Sequence, residues 1–193
     1  MKKESKEMIR SVVVLALIAA VCVAILAVAN EFLRYTPVLD RKTADMLAEI
    51  VPAEGDPMES FELCSMDDTI KAVNKKYGSG ENKKVLAVYK TLNGASKGAI
   101  IVQSQAKGND GAVVMLTAIK NGAILGIKCY SQGESYWAKV DESSFSSVEG
   151  QTGEIDPSLI VATGATNSKK AIVEAVNLAV KTAREIGTEA DNE

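Results

Sequence analysis

Apolar residues are distributed in three ways along the chain. The first is a solid block: Val12 to Ala29 is an unbroken apolar run, and residues 11–30 hold no charge, glycine, proline or aromatic. A helix needs about 20 residues to cross a bilayer core, and this run, extended by Ser11 and Asn30, reads as a transmembrane helix. Lys2, Lys3, Lys6 and Arg10 precede it, against Glu4 and Glu7. That basic excess places the head, residues 1–10, in the cytoplasm and everything after the helix outside. The alternative is a cleaved signal peptide, for which Ala27-Val28-Ala29 supplies an A-x-A site. An apolar region of about 7–15 residues is usual there, shorter than this one.

The second pattern has helical spacing. Met46, Leu47, Ile50 and Val51 predict a helix over Arg41–Val51, stopped by Pro52. Ile70 and Val73 predict another over Asp67–Tyr77, ended by Gly78-Ser79-Gly80, with Asp67-Asp68 as an acidic helix start. The clearest helix comes last, over about 167–186, where Ile172, Ala175, Val176, Ala179, Val180, Ala183 and Ile186 form one apolar stripe. Gly187 is its expected C-terminal stop, leaving a frayed polar tail at 188–193.

The third pattern is short apolar runs broken by turn residues. Strands are expected at 85–92, 99–105, 112–120 and 123–130, with turns at Asn93-Gly94, Asn109-Asp110-Gly111 and Asn121-Gly122. Asn121-Gly122 is the strongest hairpin signal, because both residues tolerate the positive φ of a type I′ turn. Helices around an antiparallel meander make an α+β fold. The chain is thus expected to run from head (1–10) and transmembrane helix (11–30), through a helical connector (31–80), to the principal domain (81–187) and tail (188–193).

Composition then narrows the chemistry. There is no histidine in 193 residues. This excludes Ser-His-Asp and Cys-His catalysis, histidine-ligated metals and imidazole proton relays. Cys22, Cys64 and Cys129 are too widely spaced for a C-x-x-C pair, and whether Cys64 and Cys129 pair is open. A net charge of -3 argues against nucleic acid as a partner. Redox chemistry would require an imported cofactor. No catalytic or metal-ligating residue stands out.

One motif carries chemistry of its own. Thr163-Gly164-Ala165-Thr166-Asn167-Ser168 leads directly into the last helix. Gly164 lets another group approach the backbone, and Thr166, Asn167 or Ser168 can cap the helix. Its first N–H groups lack helical partners and sit at the positive end of the dipole, so the turn is suited either to capping alone or to binding phosphate. Neither a G-x-x-x-x-G-K-[ST] nor a G-x-G-x-x-G pattern is present.

The stretch T-G-A-T-N-S-K-K-A-I-V-E-A-V-N resembles the C-terminal signature of the FMN-binding domain in the G subunit of the Rnf electron-transport complex. It is also similar to the C subunit of the Na⁺-translocating NADH:quinone reductase. The family pattern, [ST]-G-A-T-x-[ST] and then an A-V…A-V-N helix, is met by Thr163, Gly164, Ala165, Thr166, Ser168, Ala171, Ala175, Val176 and Asn177. The apolar N-terminal segment followed by N-E-F-L-R-Y-T-P, and the G-x-I-x-G-I-K run from Gly122 to Lys128, extend the likeness to nearly the whole chain.

The resemblance implies FMN joined through its phosphate to Thr166 by a flavin transferase after export. Thr163, Gly164, Ala165, Asn167, Ser168, Glu134 and Ser135 would complete the cofactor site. It implies an electron-carrying subunit, not catalytic alone, in a membrane-bound ion-translocating complex with other membrane subunits as partners. The sequence departs from the family pattern at two places. The Asp expected three residues before Thr163 is Ile160, the nearest acid being Asp156. The E-T-P-G-L-G loop is Glu134-Ser135-Tyr136-Trp137-Ala138-Lys139, which keeps only the Glu. Tyr136 and Trp137 either stack on the flavin or pack the core. Lys169-Lys170 either neutralise its phosphate or are ordinary exposed lysines. The departures leave two other readings: an anchored binding or structural module without flavin, and a freestanding anchored flavoprotein for extracellular electron transfer.

Overall fold

Asn121 and Gly122 both adopt positive φ, at 52° and 77°, and join two of the longest strands as the turn chemistry requires. The structure is a computed structural model that describes residues 12–26, 39–64 and 67–190. The chain divides into two units, Met1–Pro37 and Val38–Glu193.

In the first unit, residues 12–26 form a helix, α1, whose side chains are all exposed. The span expected over 11–30 is not supported among the described residues, where no helix is long and apolar enough to cross a membrane. Ser11, residues 27–30 and the basic head lie outside the described residues.

The second unit is built on a five-stranded antiparallel meander. Its strands are β1 (Phe61–Leu63), β2 (Lys83–Thr91), β3 (Ile100–Lys107), β4 (Ala112–Lys120) and β5 (Ala123–Gln132), in that spatial order. Four match the expected strands. Edge strand β1 is an addition, three residues too short to show periodicity. Both sheet faces are covered, which explains why β4 is apolar almost throughout instead of alternating. On one face lies α2 (Arg41–Ile50), whose Leu47, with Val51, packs against Ala87, Tyr89, Ile101, Leu116 and Ala118. Gly126 allows this approach: a Cβ there would lie 3.0 Å from Ile50 Cγ2. A one-turn helix α3 (Pro57–Ser60) leads into β1.

On the other face lie α4 (Asp67–Tyr77) and the long α5 (Thr166–Ala190). The expected stripe on α5 faces the sheet, and Ala171, Val173 and Leu178 join it in the core. Ser104 Oγ on β3 donates to the Ala175 carbonyl at 2.8 Å and pins the helix to the sheet. Gly187 does not stop α5, which continues to Ala190. A glycine stop works through a left-handed residue, and Gly187 is not among the positive-φ glycines.

Between β5 and α5 the chain makes short 3₁₀ turns at Trp137–Lys139, Glu142–Val148 and Pro157–Leu159, and a two-stranded ladder of β6 (Val140–Asp141) with β7 (Val161–Ala162). This ladder delivers the chain to Thr163 at the head of α5.

Asn177, the Asn of A-V-N, has a structural task. Its Oδ1 accepts from Ile155 N at 2.7 Å and its Nδ2 donates to Ile155 O at 3.4 Å, holding the loop before the last 3₁₀ turn. Asn177→Ala should destabilise the domain by about 1–2 kcal/mol, since a half-buried backbone N–H loses its acceptor. Urea unfolding with an unchanged m-value would measure it, and an unaltered midpoint would contradict the assignment.

Candidate functional site

Gly164, at φ 77°, turns the chain so that α5 starts immediately after Ala165. The first intrahelical bond runs from Lys169 N to Ala165 O at 3.0 Å, so Ala165 stands at the cap position. None of the three expected side chains caps the helix, because each is committed elsewhere or left open. Ser168 Oγ donates to Glu134 Oε2 at 2.6 Å. Asn167 Nδ2 donates to Asn109 Oδ1 at 3.1 Å. Thr166 is exposed, and its hydroxyl has no partner among the described residues.

Glu134 joins three chain segments. It follows β5 and is only 6% exposed. Oε1 accepts from Asp110 N at 2.9 Å and Gly111 N at 3.0 Å in the β3–β4 hairpin, and Oε2 takes the Ser168 hydroxyl. The hairpin must be small to admit the carboxylate. A Cβ on Gly108 would collide with it, and a Cβ on Gly111 would lie 2.8 Å from Gly133 Cα. Burial pushes the Glu134 carboxyl up. The hydrogen bonds from Ser168 and from the backbone N–H groups of Gly111, Asn109 and Asp110 outweigh this and hold it below its ordinary value. Asp110 in turn accepts from Ser135 N at 3.1 Å, and hydrogen bonds from the Ser135 side chain, the Ser135 backbone and the Asn109 side chain hold its carboxyl low as well.

These contacts enclose an open pocket of about 270 Å³, lined by Asn109, Glu134, Tyr136 and residues 164–168. Of the expected site residues, Thr166, Gly164, Ala165, Asn167, Ser168 and Glu134 come together here. Thr163 and Ser135 do not line the pocket and serve through their backbones: Thr163 N donates to Lys139 O at 3.1 Å, and Ser135 N to Asp110.

Residues 136 and 137 part company. Trp137 packs against the core and donates from Nε1 to Glu142 Oε1 at 2.8 Å, whereas Tyr136 stays 52% exposed on the pocket wall. Lys170 forms a 3.8 Å pair with Glu174 on the surface of α5. A cation contributed by another segment, Lys139, stands beside the turn, its Nζ 3.6 Å from where a Cβ on Gly164 would lie.

Asn109 and Lys139 were not legible as site residues. Asn109 belongs to an ordinary N-D-G turn, and Lys139 reaches the T-G-A-T turn only through the fold. The departure at Ile160 is explained by packing: Ile160 is fully buried, where a carboxylate would lose its hydration without a partner. Asp156 is occupied as the cap of the 157–159 turn, accepting from Ser158 N at 2.7 Å. All three cysteines are free thiols, and burial pushes Cys129 up to about 12.

The pocket suits FMN. Gly164 leaves space at the turn, a free hydroxyl stands at the start of α5, and the first N–H groups of that helix are available to a phosphate. No curated protein matches the chain. Residues 108–181 match the model of the FMN-binding domain family, a stretch that opens at the hairpin glycine and takes in Glu134 and the T-G-A-T turn, so this part of the chain is similar to a flavin-binding domain.

Proposed function

We propose that FMN is joined through its phosphate to the Thr166 hydroxyl, and that the chain serves as a flavin-carrying subunit of an Rnf-type ion-translocating oxidoreductase. The observation that carries this reading is the uncommitted Thr166 hydroxyl inside the family-matched pocket, at a helix start where it caps nothing. A phosphodiester there would be held by the backbone N–H groups of the first turn and by the helix dipole. The flavin would supply the electron transfer, and the protein would tether and orient it. Glu134, Ser168, Asn109 and Asn167 would keep the helix start rigid against the hairpin.

Location and partners follow from the same reading. The exposed apolar side chains of residues 12–26 support attachment to the cell membrane. The basic residues before them support a cytoplasmic N-terminus and an extracytoplasmic domain. Membrane subunits of the complex would be its redox partners, and a flavin transferase would load it. A flavin-free module is the second reading, favoured by Ile160 in place of an acid before the turn.

The test is co-expression with a flavin transferase, followed by denaturing electrophoresis. A fluorescent flavin band at the chain's mass is expected. A dark band beside a fluorescent control substrate would favour the flavin-free module.

A further inference from the structure

One wall of the pocket carries groups that the Glu134 network does not use. Tyr136 lines the pocket with its ring half exposed. Its neighbour Trp137 is anchored in the core and fixes the Trp137–Lys139 turn. That turn brings Lys139 Nζ over the Tyr136 ring, 4.7 Å from its centroid. The same ammonium lies beside Gly164, and the bond from Thr163 N to Lys139 O ties the turn to T-G-A-T. Lys139 forms no ion pair among the described residues. The exposed cation–π contact accounts for holding the side chain in place. It does not account for an uncompensated positive charge at the edge of a pocket that also contains the Glu134 carboxylate.

The geometry points to a two-part recognition element for FMN, in which Lys139 pairs with the phosphate beside Gly164 and Tyr136 stacks on the flavin ring. The element stands where this chain has Tyr136-Trp137-Ala138-Lys139 in its own loop, and it rests on the reading that FMN occupies this pocket. An aromatic face takes a planar heterocycle with little loss of side-chain entropy, and an ammonium takes a phosphate as a point charge. The division of labour separates two ligands. Riboflavin, which lacks the phosphate, should use Tyr136 alone, while FMN should use both residues.

The test is equilibrium dialysis of FMN and of riboflavin against the full chain made without a transferase. Lys139→Gln should weaken FMN at least tenfold and leave riboflavin within about twofold. Lys139→Arg should restore FMN binding. Tyr136→Leu should weaken both ligands at least tenfold. Both positions are exposed, so the fold should persist, and unchanged far-ultraviolet circular dichroism would verify it. FMN affinity unaffected by Lys139→Gln, equal losses for the two ligands in that variant, or no binding of either by the wild type would overturn the element. Attachment measured in parallel with a transferase keeps the two readings apart. Attached flavin with these affinities unchanged refutes the element alone, and the expected affinities without attachment refute the Thr166 linkage alone.

Discussion

Thr166→Ala should abolish covalent flavin, and Thr166→Ser should retain it. The serine keeps the hydroxyl at the start of α5, whereas the alanine leaves the pocket without an available nucleophile. The neighbouring hydroxyls do not substitute. Thr163 stands outside the pocket lining, and Ser168 is 2% exposed with its proton directed to Glu134. Because the Thr166 hydroxyl has no partner among the described residues, the alanine variant should unfold within about 0.5 kcal/mol of wild type. Loss of flavin without loss of stability separates attachment from folding. A parallel loss of both would instead make Thr166 a helix-capping residue.

Glu134→Ala should be the most destabilising substitution at the site. It leaves the Asp110 and Gly111 N–H groups and the Ser168 hydroxyl without their acceptor, for a loss of about 3 kcal/mol. The hairpin and the start of α5 lose their common tie, so flavin loading should fall as well. Glu134→Gln separates charge from shape. The native carboxyl is held below its ordinary value of 4.5, so its contribution is complete above that value and is lost as pH falls through the folded-state pKa. The Gln variant should therefore show a shallower loss of stability on acidification than wild type. Thermal unfolding from pH 7 down to pH 3 would measure it, and parallel acid limbs would contradict the assignment.

Much of the scaffold could be read from residue order because the relevant signals are local. Asn121-Gly122 sets one hairpin, and the stripe from Ile172 to Ile186 defines both the existence of α5 and the face it buries. The meander follows from short connections between consecutive strands. Gly187 misled because a glycine permits a helix stop without requiring one. The T-G-A-T turn identified half of the pocket for the same local reason. The other half is tertiary: Glu134 meets Ser168 across 34 residues, and Asn167 meets Asn109 across 58. No spacing rule connects such pairs. The capping expectation at Thr166, Asn167 and Ser168 failed on that account, since two of the three side chains found partners on distant loops. The absence of histidine now has a local meaning: the one carboxylate lining the pocket among the described residues is that of Glu134.

The central claim is that Thr166 carries FMN. Trypsin should release residues 140–169 as one peptide, bounded by Lys139 and Lys169 and containing Thr163, Thr166 and Ser168. After co-expression with a flavin transferase, fragmentation of that peptide should place the full FMN increment on Thr166. An unmodified peptide, or an increment on Thr163 or Ser168, would contradict the account.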